Sequence, residues 1–119
     1  MELQTDNIDK IHARLEKLKE YVSILETLQS TSEEELKTDV IKKGAIERYL
    51  QLAIEACIDI AELIISNRRF KTPETARDAI EILGEEGIIS KEFADRFSKA
   101  VGFRNILIHD YLEIISNCS

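Results

Sequence analysis

The stretch Gly44-Ala45-Ile46-Glu47-Arg48-Tyr49-Leu50-Gln51-Leu52-Ala53-Ile54-Glu55-Ala56-Cys57-Ile58-Asp59-Ile60-Ala61-Glu62-Leu63-Ile64-Ile65-Ser66-Asn67 decides the fold class. Ile46, Leu50, Ala53, Cys57, Ile60 and Ile64 recur at alternating steps of four and three, so one face of a helix is apolar along its length. Tyr49, Leu52, Ala56 and Leu63 widen that face. A helix so broadly apolar needs neighbours on more than one side, which places it at the centre of a bundle. Cys57 reads here as a small core hydrophobe.

Working outward, Ser32 and Glu35 match a capping box, so this second helix has a start signal well ahead of Gly44. Ser30-Thr31-Ser32 breaks a first helix predicted from Thr5 to Gln29. Its stripe is Ile8, Ile11, Leu15, Leu18, Val22 and Leu25, and only about three heptads are present, which favours bundle packing over a coiled coil. Beyond Asn67 lies a basic loop with Arg68, Arg69 and Lys71. Pro73 suits the first turn of a third helix capped by Thr72. Ala76, Ala79, Ile80 and Leu83 give that helix its apolar side, and Gly84 is expected to end it. Ser90 caps a fourth helix, with Phe93, Phe97, Ala100 and Val101 as its core face. The reading is an all-α, up-and-down bundle of four main helices, one domain spanning residues 1–119.

Composition agrees. The 119 residues include one proline and four glycines, too few turn formers for a sandwich or barrel. No apolar run approaches the roughly 18 residues a membrane span requires. Met1-Glu2-Leu3-Gln4-Thr5-Asp6 lacks the basic and apolar regions of a signal peptide. The two cysteines, Cys57 and Cys118, form no CxxC pair, so neither a disulfide framework nor a metal site is expected. A cytoplasmic protein without membrane contact, metal or cofactor is the expectation. The net charge of −7 argues against a non-specific nucleic-acid binder. Residues 1–39 carry most of that excess, with five Lys/Arg against ten Asp/Glu, whereas residues 40–110 are nearly balanced at eleven against twelve. A local basic site further along the chain is compatible with this distribution.

Chemistry-bearing residues gather in Gly102-Phe103-Arg104-Asn105-Ile106-Leu107-Ile108-His109-Asp110-Tyr111. Asn105 and His109 share a helix face, so the amide is placed to orient the imidazole. Arg104 and His109 are five apart, about 140° around a straight helix. They converge on one target only if the helix bends or if two chains pool their residues. Chemically the pair suits phosphodiester cleavage. A guanidinium binds phosphate and stabilises transition-state charge, and an imidazole with an unperturbed pKa of about 6.5 exchanges protons near neutrality. The alternative from spacing alone is a surface ion pair for Arg104 and a favourable helix C-terminus for His109.

The same run resembles the signature of the HEPN superfamily, Arg-x4-6-His, and more narrowly the Arg-x4-His-x-Tyr of HepT-like toxins from toxin–antitoxin pairs. Residues 46–60, from Ile46 to Ile60, resemble that family's second helix. The similarity covers roughly residues 40 to 115, in the right order. The resemblance implies an all-helical homodimer acting as a metal-independent endoribonuclease, with the two motifs facing each other across a cleft. It implies His109 as acid/base, Arg104 as phosphate stabiliser and Asn105 as a supporting residue. Tyr111 would be the residue that a cognate minimal nucleotidyltransferase antitoxin modifies with AMP. RNA would be the substrate, and Arg68, Arg69 and Lys71 are weaker candidates for guiding it, a basic loop being more often plain solvated surface.

Two rival readings stand beside this one: a non-catalytic helical subunit that presents substrate to a separate nucleotidyltransferase, and a structural adaptor with no site. The remaining polar residues of the second helix, Glu47, Arg48, Glu55 and Asp59, fit a solvated edge as well as a cleft wall.

Overall fold

A computed structural model describes the backbone of residues 2–104, 106 and 108, with side chains from residue 7 onward. Among the described residues five helices follow one another: α1 (Glu2–Leu28), α2 (Glu33–Thr38), α3 (Val40–Arg68), α4 (Ala76–Glu85) and α5 (Lys91–Gly102). The all-α expectation holds, with the four main helices joined by one short extra element. None of the described helices is long and apolar enough to cross a membrane.

The extra element comes from Asp39. Ser32 does cap a helix, its hydroxyl oxygen accepting the Glu35 amide at 3.1 Å. That helix stops after six residues, however, because Asp39 takes an extended backbone (φ −101°, ψ 90°). Its carboxylate then accepts the Lys42 amide at 3.0 Å and starts α3 afresh. What the sequence presents as one continuous second helix is therefore two, closed and reopened by one residue.

α1 and α3 lie antiparallel along the long axis of a particle measuring 52 × 25 × 20 Å. Tyr21 meets Tyr49 with ring centroids 6.0 Å apart, and further along Arg14 reaches Asp59 at 4.0 Å. Tyr21 displaces the expected Val22 from the contact line, leaving Ile8 and Val22 exposed. The antiparallel pair α4–α5 packs on the other flank of α3. There Ile54, Ile58, Ala61 and Ile65 of α3 meet Ala79, Ile80, Ile82 and Leu83 of α4 and Ala94 and Val101 of α5. With Leu36, Ile46 and Ile108 they make up the buried core, each buried Ile or Leu contributing about 1.5–3 kcal/mol. Leu50, Ala53, Cys57, Ile60 and Ile64, the face read from periodicity, are half-buried beside them.

Three local expectations are corrected. α4 begins three residues later than Pro73 suggested. Its cap is Thr75, which accepts the Asp78 amide at 3.0 Å while the Asp78 carboxylate accepts the Glu74 amide at 3.0 Å. The second hydrogen bond is available at Thr75, and it outweighs proline's mere tolerance of a first turn. Gly84 does not end α4 but sits buried inside it. Termination falls to Gly87, whose positive φ of 75° lets the Ile88 amide return to the Leu83 carbonyl at 2.9 Å. Phe93, expected in the core, is exposed and stacks on Phe97 at 5.5 Å. The buried line of α5 is Ala94, Ser98 and Val101 instead. Only a small residue at position 94 lets α5 approach Gly84 so closely.

Candidate active site

α5 delivers the chain to the Arg104 region. Ser90 starts the helix by accepting the Phe93 amide at 3.1 Å, and Val101, fully buried, fixes its last turn. At Phe103 (φ −117°, ψ 31°) the chain leaves regular helical geometry, while its amide still reaches the Lys99 carbonyl at 3.1 Å. Helical backbone resumes at Arg104, Ile106 and Ile108. Ile108 is anchored in the core and Ile106 is exposed, as residues about 200° apart on a helix should be.

Arg104 is thereby held in the open at the first position after a break. Its Nη1 donates to the Val101 carbonyl at 3.1 Å. That carbonyl belongs to the last turn of α5, where a cation is favoured. A concavity of about 290 Å³ opens here, lined by Gly102, Phe103, Arg104 and Ile106. A bend is present, as convergence of the motif would need, but it lies ahead of Arg104. Asn105, His109 and Tyr111 lie outside the described residues.

One cation that the sequence reading passed over stands beside this turn. Arg77, in the first turn of α4, lays its side chain across Gly102, and its Nε donates to Glu81 Oε1 at 3.2 Å. The signal in the sequence was Thr75-Ala76-Arg77-Asp78, whose capping pattern sets the start of α4 and hence the level of Arg77.

The basic loop is elsewhere, at the C-terminal end of α3. Arg69 adopts a left-handed conformation (φ 57°, ψ 39°), and the Phe70 amide returns to the Ile65 carbonyl at 3.0 Å. Arg69 lines a hollow of about 440 Å³ with Glu62, Ser66, Phe70 and Thr72 among its walls. Arg68, Arg69 and Lys71 form no ion pair among the described residues, and no described contact joins them to Arg104. Of the polar edge on α3, Glu47, Arg48 and Glu55 are exposed, and Asp59 faces Arg14. Burial pushes the half-buried Cys57 thiol up from its ordinary range, which suits an inert core residue rather than a nucleophile. Among the described residues no group of three or more His, Cys, Asp or Glu is arranged to hold a metal.

Comparison with known proteins agrees with this architecture. The chain is 35% identical over 80 residues to the mRNA nuclease HepT of Shewanella oneidensis, covering 67% of this chain but only 60% of that protein. It is 31% identical over 107 residues to the tRNA nuclease HepT of Aphanizomenon flos-aquae, covering 90% of this chain and 73% of that one. A crystal structure of the toxin–antitoxin MntA–HpeT in mutant form superposes with a TM-score of 0.77 at 27% identity, over 90% of this chain and 83% of that one. The tri-AMPylated Shewanella oneidensis HEPN toxin in complex with MNT antitoxin gives 0.73 at 25% identity, over 90% and 86%. The family model described as ribonuclease HepT-like matches residues 11–117, and the chain therefore belongs to the ribonuclease HepT-like family.

Proposed function

We propose that this chain is a metal-independent endoribonuclease, the toxin of a toxin–antitoxin pair, acting in the cytoplasm as a homodimer on RNA. The observation that carries the reading is Arg104: a family member presents the arginine of its Arg-x4-His run exposed, beside a concavity, at a break in the helix. Relatives named as mRNA and tRNA nucleases support RNA as the substrate class.

In this mechanism the ribose 2′-OH attacks the adjacent phosphorus, its proton passing to a base as the new P–O bond forms. The 5′ oxygen leaves and takes a proton, giving a 2′,3′-cyclic phosphate. His109 exchanges the protons, Arg104 stabilises the charge that grows on the phosphoryl oxygens, and Asn105 supports the site. One domain over residues 1–119 supplies these groups, and a partner copy supplies the second set across the dimer cleft. Arg68, Arg69 and Lys71 are weaker contributors to RNA binding. A minimal nucleotidyltransferase antitoxin is the partner that silences the toxin by transferring AMP to Tyr111, a reading supported by the tri-AMPylated relative solved with its antitoxin.

The test is cleavage of total RNA by the purified protein, with and without EDTA. Wild type should cut in EDTA and leave 2′,3′-cyclic phosphate or its 3′-phosphate hydrolysis product. His109→Ala should be inactive, and Arg104→Ala slower by about 10²–10³-fold. Activity that disappears with the chelator, or survives in His109→Ala, overturns the mechanism.

A further inference from the structure

Two arginines converge on one turn of backbone at the end of α5. Arg104 reaches back to the Val101 carbonyl from one side. Arg77 crosses from α4: a Cβ built on Gly102 would stand 3.2 Å from Arg77 Cδ and 3.8 Å from its Nη1. A glycine at this position gives the guanidinium room to lie against the main chain two residues before Arg104. Glu81 holds Arg77 through Nε alone, and its Nη groups have no hydrogen bond or ion pair among the described residues. The guanidinium is thus oriented by one carboxylate while its outer edge stays available, and the side chain is 43% exposed. In a chain of net charge −7, two cations against one turn, with Glu81 the one carboxylate that pairs with either of them among the described residues, form a local anion-seeking site.

We infer that Arg77 is a substrate-binding residue of the active site, gripping an RNA phosphate that flanks the scissile one bound at Arg104. The inference rests on the ribonuclease reading above and adds a strand-positioning contact to it. The fork geometry of arginine suits the role, since two Nη donors meet two phosphoryl oxygens while Glu81 fixes the plane in advance. Gly102 then has a job of its own: a Cβ there would make the Arg77 side chain give way by a few tenths of an ångström.

The experiment measures binding of a short fluorescein-labelled single-stranded RNA of mixed sequence as a function of salt, in a His109→Ala background that leaves the RNA uncut. Cleavage kinetics are measured separately with His109 restored. Arg77→Gln should weaken binding about tenfold, the effect of one charge-assisted contact. The slope of log affinity against log salt should become shallower by about 0.7, one phosphate contact on a single strand. KM should rise with kcat nearly unchanged, Arg77→Lys should recover the salt slope, and Gly102→Ala should behave as a milder Arg77→Gln. Glu81→Gln separates substrate contact from scaffolding. If Arg77 only braces α4, Glu81→Gln and Arg77→Gln fail alike; if it grips phosphate, Glu81→Gln binds RNA at least as tightly as the parent. An unchanged salt slope in Arg77→Gln, with wild type cleaving RNA normally, overturns this inference and leaves the ribonuclease reading standing. A wild type that neither binds nor cleaves RNA overturns both.

Discussion

Gly84 and Ala94 meet where α4 packs on α5, so closely that a Cβ on Gly84 would lie 2.4 Å from the Cβ of Ala94. Gly84→Ala gains at most about 1 kcal/mol in helix propensity. Forcing the two helices apart in a close-packed core costs about 1–3 kcal/mol. The overpacking wins, and the urea midpoint should fall. Because α5 carries Val101 and the turn before Arg104, RNA cleavage should fall as well. A higher midpoint would show that the helices separate freely.

The start of α4 offers a sharper comparison. Thr75→Ala removes the acceptor for the Asp78 amide and should cost about 1 kcal/mol. Thr72→Ala, three residues earlier, should leave the melting temperature nearly unchanged. Equal effects would mean that Thr72 shares the capping.

For assembly, the exposed apolar residues Phe103 and Ile106 next to Arg104, with Phe93 on α5, suit the proposed dimer contact. Phe103→Asp should convert a dimer to a monomer at micromolar concentration in light scattering. A wild type that is already monomeric would remove the basis for a shared cleft.

Control by the antitoxin predicts covalent AMP on one residue. Incubation with the nucleotidyltransferase and ATP should add AMP-sized mass steps to wild type and none to Tyr111→Phe. Each AMP brings negative charge and bulk toward the proposed phosphate site, so modified protein should lose RNA binding before it loses stability. Equal labelling of the Phe variant would place the modification elsewhere.

Cys57 gives a pH test. Burial raises its thiol pKa above the ordinary value of 9.0. A group whose folded pKa is raised supports folding below its unfolded pKa and loses that support as pH climbs through the folded one. With Cys118→Ser as background, stability should decline above about pH 9, and Cys57→Ala should flatten the decline. Thiol reagents should label native Cys57 far more slowly than unfolded protein.

The helical class, the central helix and the Arg104 run are legible in the sequence because apolar spacing and cap chemistry are local properties. Ser32 and Ser90 cap helices as read. What the sequence hides is competition between neighbours. Asp39 splits a helix whose propensities are continuous, and Tyr21 takes the contact that periodicity gives to Val22. Gly84 looks like a stop signal and is a close-approach site. Arg77 escapes notice for the same reason, since only the packing of α4 on α5 brings it over Gly102.

The one-sided packing of α1 has a consequence for how the molecule opens. No described side chain of α1 is fully buried, and among the described residues it leans on α3, away from the α3–α4–α5 centre. Lifting it breaks the Tyr21–Tyr49 and Arg14–Asp59 contacts and takes Leu25 and Leu28 off the edge of the buried cluster, while the contacts of α3, α4 and α5 with one another stay closed. Because it joins the rest through one neighbour, α1 is expected to detach as a unit, a separate cooperative step below global unfolding. Its amides should exchange with deuterium well ahead of those of α5, so the element delivering Arg104 stays closed while the acidic first helix comes and goes.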